Sequence, residues 1–472
     1  MEIVWILLFS MLLVSNADQG FNIRQHLSTV TRYDAVKGVS QNLFDPSEVS
    51  HECTPIHINL VARHGTRSPT KKRLRELENL AVRFKELVRD AESRNSPLRQ
   101  IPGWLREWES PWKGKVKGGE LISLGEEELY QLGIRVRERF PSLFEDNYHP
   151  DVYTIRATQI PRASASAVAF GMGLFSGRGK LGAGQNRAFA VTSENRASDT
   201  KLRFFECCQN YKSYRKSKEP AVDALKEPVL NEISVALAKR NFLNFTKQDI
   251  SSLWFLCKQE ASLLNVTDQA CALFTPSEVA LLEWTDDLEV YILKGYGNSL
   301  NYRMGVPLLQ DVLRSMEEAI KAREEKHPSG SYEKARLRFA HAETVVPFSC
   351  LLGLFLDGSD FEKIQKEQPL ELPAKPPKSR NFRGGTMAPF AGNNMLILYN
   401  CPVDSSAKYF VQVLHNEQPI PLPGCDGRDF CPLEAFKERI VAPHLKHEFD
   451  ILCNAKTDGP KLKPASKENL QG

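Results

Sequence analysis

The sequence predicts an α/β protein: a doubly wound, mostly parallel sheet domain with an inserted, mainly α-helical domain. Two observations predict it. A strand, a polar loop and a helix follow one another three times at wide spacing, the grammar of parallel strands joined through helices. Between the second and third of these units lies a helix-rich stretch, roughly 219–326, which reads as the insertion.

The first unit opens with an apolar run at 56–62, a buried strand, followed by a turn punctuated by Gly65 and Pro69. Leu74, Leu77, Leu80, Ala81, Phe84, Leu87 and Val88 then recur at helical spacing over 71–91. Ser68 or Thr70 is placed to cap that helix, with Pro69 near its first turn. The second unit is a strand at 152–155, a loop from Arg156 and a helix over 162–174. The third is a strand at 337–340, the loop His341-Ala-Glu-Thr and a helix over 345–356. Within the insertion, Leu309, Val312, Leu313, Met316 and Ile320 share one helix face. The segment 360–383 is rich in proline and lysine and is expected to be an exposed loop. The expected organisation is a signal peptide (1–17), the first part of the α/β domain (18–195), the helical insertion (196–330), the second part of the α/β domain (331–454) and a polar, disordered tail (455–472).

Composition is that of a globular protein, with 42% hydrophobic and 25% charged residues. A net charge of +4 over 472 residues does not point to nucleic acid or an acidic membrane. Any anion site must come from local clustering. The apolar run from Ile3 to Val14, followed by Ser15-Asn16-Ala17, suits cleavage after Ala17 and entry into the secretory pathway, although no Lys or Arg precedes it. No other long uncharged stretch follows, so no integral membrane association is expected.

Secretion gives the ten cysteines meaning, since an even number in an oxidising compartment suggests disulfides. Cys425 and Cys431 are close enough for a short loop, and Cys257 and Cys271 for a longer one; spacing leaves the remaining pairings open. Asn244 and Asn265 each open an Asn-X-Thr sequon, as expected of a glycosylated secreted chain.

The run Gly177-Arg-Gly-Lys-Leu-Gly182 matches a dinucleotide-binding pattern, but it follows a helix and precedes an apparent strand at 188–192, the reverse of what that motif requires. The stretch Arg63-His-Gly-Thr-Arg-Ser-Pro69 carries more chemistry. A phosphoryl group needs its charge neutralised and a nucleophile supplied. Arg63 and Arg67 offer forked, permanent cations, and His64, held neutral, can attack phosphorus. Gly65 permits close backbone approach, and the helix that follows favours an anion at its start. A structural reading of the same residues is exposed charge beside a core histidine. The second loop adds Arg162 at the head of a helix of small residues, and the third adds His341 and Glu343, a phosphate donor and a carboxyl able to protonate a leaving alkoxide.

Taken together, "RHGTRSP" (63–69), "QIPRASASA" (159–167) and "HAET" (341–344) resemble the three blocks of the histidine acid phosphatases, and the segment 118–141 is also similar to that family. His-Ala-Glu in place of His-Asp, with "LRFFECCQNY" (202–211), resembles the multiple inositol-polyphosphate phosphatase branch, which includes phytases. The resemblance implies an α/β domain with a variable helical domain and hydrolysis without metal or other cofactor. It implies His64 as the nucleophile that becomes phosphohistidine, Arg63, Arg67, Arg162 and His341 as phosphate-binding residues, and Glu343 as proton donor. It also implies the pairs Cys208–Cys453 and Cys53–Cys401, leaving Cys207 and Cys350 unpaired.

The expected partner is a small polyanion of the inositol phosphate class. Lys71, Lys72 and Arg73 occupy the first helical turn, where cations oppose the helix dipole at roughly 0.3–1 kcal/mol each. A polyanionic ligand offsets that cost, so these residues are expected to contact phosphates other than the one cleaved. Arg383 is a further candidate; the cluster Lys113, Lys115 and Lys117 reads better as a solvated loop. Since Glu343 must be protonated to act, and a free Glu titrates near pH ~4.3, turnover is expected to be best on the acid side of neutrality. A broad acid phosphatase, a bisphosphoglycerate phosphatase and a non-catalytic polyanion-binding protein are the competing readings.

Overall fold

The computed structural model describes residues 20–37, 52–97, 99, 101–115, 117–402 and 407–454. The expected signal segment and the polar tail lie outside these residues.

Seven strands form one mixed sheet: β1 (Thr54–Arg63), β2 (Tyr153–Ala157), β3 (Ala335–Ala340), β4 (Asn393–Asn400), β5 (Tyr409–His415), β6 (Gln418–Pro419) and β7 (Phe430–Pro432). Their order is β2-β3-β1-β4-β5-β6, with β7 also on β5. Strands β2, β3 and β1 run parallel, as the three repeated units imply. β4 is antiparallel to β1, and β5 is antiparallel to β4, so β5 points the same way as the first three. β6 and β7 oppose β5.

Helices of ten or more residues are numbered α1 (Lys71–Ser93), α2 (Ser123–Arg139), α3 (Pro161–Leu174), α4 (Gln209–Asn241), α5 (Lys247–Gln259), α6 (Pro276–Lys294), α7 (Val306–Glu324) and α8 (Ala342–Leu351). Both faces of the sheet are covered, which is why β1 is buried from Ile56 to Arg63 on both sides rather than alternately, its polar His57 and Asn59 included. Ile58, Leu60 and Ala62 face a core shared with Leu129 and Leu132 of α2 and Phe170 of α3. Ile56 and Val61 face a second core with Val312 and Met316 of α7 and Val345 and Phe348 of α8. A third core is helical. The apolar stripe of α1 (Leu74, Leu77, Phe84, Leu87) packs against Val229 and Ile233 of α4, Leu253 of α5 and Leu282 of α6. Of the helices in the 196–330 segment, α4–α6 therefore share a core with α1, while α7 packs on the sheet.

Local chemistry explains several boundaries. Thr246 and Thr275 form capping boxes with Asp249 and Glu278 at the starts of α5 and α6. Thr70 is the N-cap of α1 by position but makes no side-chain cap. Ser68 does not cap α1 either; its Oγ accepts from the backbone N–H groups of Gly119 and Glu120 at 3.0 and 3.2 Å. The stretch 188–192, expected as a strand, makes a single bridge, Arg156 to Thr192. The start of the expected 360–383 loop is helical instead: residues Gly358–Gln365 form a short helix on an Asp357 N-cap.

Disulfides join Cys53–Cys401, Cys208–Cys453, Cys257–Cys271 and Cys425–Cys431, the expected pairs, and Cys207 and Cys350 are free. Four disulfides suit an oxidising compartment. No described helix is long and apolar enough to cross a membrane.

Candidate active site

Strand register builds the site. Arg63 pairs with Ala340 across the β1–β3 ladder, and Ala157 with Phe339 across β2–β3. The next residues in each strand, His64, His341 and Thr158, therefore emerge side by side at one sheet edge. β4 starts at the same edge opposite Ala62, which brings Phe390 alongside. Ligands bind at such carboxyl ends of parallel strands.

The loop carrying His64 is braced from two sides. Glu128 of α2 accepts from both the N–H and the hydroxyl of Thr66, each at 2.8 Å. Ser166 of α3 accepts from the Gly65 N–H at 3.1 Å and donates to the Arg162 carbonyl at 2.8 Å. Backbones approach so closely that a Cβ on Gly65 would lie 2.2 Å from the Gly125 carbonyl oxygen, and one on Gly125 would lie 2.2 Å from that of Thr66.

His64 is buried, and its Nδ1–H donates to the Gly65 carbonyl at 2.9 Å. That bond fixes the tautomer and leaves Nε2 with a free lone pair. Burial and the charge of Arg63 hold the ring well below its ordinary pKa of 6.5, so it is neutral. His341 stands 5.5 Å away, ring centre to ring centre. Its Nε2 lies 2.9 Å from the Thr158 hydroxyl and 3.1 Å from Arg203 Nη1, and its Nδ1 lies 3.4 Å from Arg162 Nη2. Burial and Arg162 lower its pKa to about 3.

Four arginines converge here. Arg63 donates to the carbonyls of Thr29 and Ala388 and lies 4.4 Å over the Phe390 ring. Arg67 donates to the Ser68 carbonyl at 2.9 Å. Arg162 reaches the Gly119 carbonyl at 3.5 Å. Arg203 pairs with Glu206 at 3.1 Å. Burial, then the charge of Arg67, lowers Arg63 to about 9 and Arg162 to about 10; both remain cations in ordinary buffers. The Nε–H groups of all four are buried without a protein acceptor. Clustered like charges with unspent donors form a site that an anion stabilises.

Glu343, in the first turn of α8, is not free. Its Oε1 lies 3.0 Å from Nζ of Lys294. Burial pushes its pKa up, but Lys294 and His341 pull it further down, and the net value lies well below 4.5.

The remaining sequence candidates divide. Lys71 and Lys72 are exposed and make none of the ion pairs found among the described residues. Arg73 is committed elsewhere, to Glu76 at 2.6 Å and the Phe255 ring at 4.6 Å. Arg383 is paired with buried Glu283 at 2.7 Å and donates to the Gln25 carbonyl, which ties two segments together. Lys113 pairs with Glu109. Asn244 and Asn265 are both exposed.

Sequence reasoning missed Arg203, Lys294, Thr158 and Glu128. Arg203 lies inside the 202–211 segment that carries the branch resemblance, so a signal existed. Lys294 sits in an ordinary amphipathic helix and offers none.

A family profile described as "Histidine phosphatase superfamily (branch 2)" matches residues 56–416. The chain belongs to this superfamily. Human multiple inositol polyphosphate phosphatase 1 is 27% identical to this histidine phosphatase over 416 residues, 85% of this chain and 83% of that protein. Among solved structures, the phytase from D. castellii superposes with a TM-score of 0.70 at 19% identity, covering 92% of this chain and 88% of that one. The Bifidobacterium longum multiple inositol polyphosphate phosphatase, solved in complex with inositol hexasulfate, gives a TM-score of 0.61 at 18% identity, covering 89% and 98%. Both structural likenesses are likenesses of fold.

Proposed function

We propose that this protein is a phosphomonoesterase of the secretory pathway that removes phosphates from inositol polyphosphates, phytate included, through a covalent phosphohistidine at His64. The observation that carries the reading is the tautomer of His64: its Nδ1–H is committed to the Gly65 carbonyl, which leaves Nε2 an unprotonated nucleophile within a cluster of arginines.

Arg63, Arg67, Arg162 and His341, joined by Arg203, hold the phosphate to be cleaved and neutralise the charge that spreads over its oxygens in the transition state. The Nε2 lone pair attacks phosphorus, the ester P–O bond breaks, and the leaving oxygen takes the proton of the Glu343 carboxyl. The Glu343 carboxylate then removes a proton from water, whose oxygen attacks phosphorus and breaks the P–N bond. Phosphate leaves and both groups return to their first state. Lys71 and Lys72, exposed on the first turn of α1, meet other phosphates of the substrate. The helical segment between β2 and β3 is taken as the inserted domain, with glycans on Asn244 and Asn265. The name of the human relative and the extent of its match support the substrate class.

The test is acid-quench trapping of a phosphoenzyme with inositol hexakisphosphate, alongside product analysis over time with a monoester control. An acid-labile phosphoenzyme in the wild type that is absent in His64→Ala, with successive lower inositol phosphates as products, is the expected result. Ligand binding without phosphate release means a non-catalytic polyanion binder. Equal turnover of hexakisphosphate and simple monoesters means a broad acid phosphatase.

A further inference from the structure

The contact between Lys294 and Glu343 joins the helical insertion to the catalytic loop. Lys294 lies in the last turn of α6, where a cation suits the helix dipole, and Glu343 in the first turn of α8, where an anion does. Nζ and Oε1 are 3.0 Å apart, and the two side chains are 14% and 29% exposed. Nearby Glu289 is already paired with Lys226, so Glu343 is the direct carboxylate partner of Lys294 among the described ion pairs. A carboxylate held this way is a poor proton donor, because the ammonium stabilises the charged form. A competing phosphate carries nearly two charges and several acceptor oxygens, so it is a better partner for an ammonium than one carboxylate.

We propose that Lys294 is a specificity-determining residue that exchanges partners: a second phosphate of a polyphosphorylated substrate draws its ammonium off Glu343, and the freed carboxyl takes up the proton it then gives to the leaving oxygen. This rests on the proposed phosphatase activity and adds a source of selectivity to it. A substrate with one phosphate fills the arginine cluster but leaves Lys294 on Glu343. Discrimination then falls on kcat, since the differing interaction acts at the protonated transition state and not in binding alone.

The other charges around Glu343 do not discriminate in this way. His341 lies on its own loop, and Tyr211 and Arg215 face it from α4, where Arg215 is held by Glu219 at 3.1 Å. Arg63, Arg67, Arg162 and Arg203 face it from the phosphate-binding side. The four arginines and His341 are assigned to the phosphate being cleaved, which is present in both kinds of substrate, and the Tyr211 hydroxyl is spent on the Leu293 carbonyl at 2.8 Å. The proton balance is simple. On exchange the carboxylate takes one proton from solvent. In phosphoryl transfer that proton goes to the ester oxygen as the P–O bond breaks and the P–N bond to His64 forms.

The experiment compares wild type, Lys294→Met and Lys294→Arg with inositol hexakisphosphate and with glycerol 2-phosphate, reading kcat against pH and phosphoenzyme formation in a single turnover. Lys294→Met is expected to move the alkaline limb of kcat for glycerol 2-phosphate up by at least one pH unit, a gain of about tenfold above the wild-type limb. The kcat preference for the hexakisphosphate shrinks by a similar factor, and Lys294→Arg keeps the wild-type limb. If Lys294→Met raises KM for the hexakisphosphate and leaves the glycerol 2-phosphate limb where it was, Lys294 is only a phosphate ligand and the exchange is wrong. If no phosphoenzyme forms in wild type with either ester, it is the proposed function that fails.

Discussion

At the residue scale, one hydrogen bond and one ion pair set the chemistry. The bond from His64 Nδ1 to its neighbour's carbonyl leaves Nε2 unprotonated, as the proposed nucleophile must be, and the ion pair from Lys294 favours Glu343 as a carboxylate in the free protein. A general acid must be protonated to act, so activity falls as pH rises through its pKa. Since kcat/KM reports the free protein and kcat the bound complex, the alkaline limb of kcat/KM is expected to lie at lower pH than that of kcat. Glu343→Gln is expected to cost about 10²–10⁴ in kcat and to erase the kcat limb; a limb that survives unchanged assigns it to another group. Arg203→Met removes a donor 3.1 Å from His341. Steady-state kinetics is expected to show kcat/KM down by about 10²–10³, the loss typical of one transition-state donor.

At the element scale, function depends on how closely three loops stack. Gly125 of α2 lies against the backbone of Thr66, and Glu128 one turn later binds that same residue. Gly125→Ala therefore pushes on the loop that aims His64, because the two nearest atoms, the Thr66 carbonyl oxygen and nitrogen, are backbone and do not swing away as a side chain would. A displacement near 1 Å in a catalytic loop costs roughly 10²-fold. We expect kcat to fall by that order while far-UV circular dichroism stays native; full activity would show that the loop tolerates the shift. The same stacking explains the fate of Ser68. Its hydroxyl is taken by Gly119 and Glu120, so Thr70 fills the N-cap position without a side-chain bond. A capping rule applied along the chain cannot see a partner fifty residues away.

At the scale of the whole molecule, the helical core and the two sheet-facing cores are joined by covalent and ionic ties. Cys208–Cys453 fastens the start of α4 to the short helix Phe449–Asn454. Losing a native disulfide typically costs about 2–5 kcal/mol, and Cys453→Ser should lower the thermal midpoint accordingly. The helical core also carries a pH-sensitive group. Glu260 is buried, accepts from Trp108 Nε1 and the Ala270 N–H, and makes none of the ion pairs found among the described residues. Burial raises its pKa from 4.5 to about 7. Because the folded value exceeds the unfolded one, ionisation destabilises the fold. The cost is absent below about 4.5, grows through the window between, and is complete above 7, where it amounts to about 3 kcal/mol. Denaturant unfolding at pH 5 and 7.5 is expected to show the wild type losing stability across that range, with a flatter dependence for Glu260→Gln.

The sequence by itself determined the repeated strand–loop–helix units, the nucleophile stretch and the cysteine pairs suggested by short spacing, because each is written in neighbouring residues. Hydrophobic periodicity, a turn glycine and a charge cluster are local quantities. Tertiary structure decided what depends on residues distant in the chain. It paired β4 against β1 and added the antiparallel side of the sheet, drew α1 into the helical core, locked Arg383 on Glu283 and set Lys294 on Glu343. Backbone pairing and ion-pair partners are chosen by proximity in space, which periodicity along a chain does not encode.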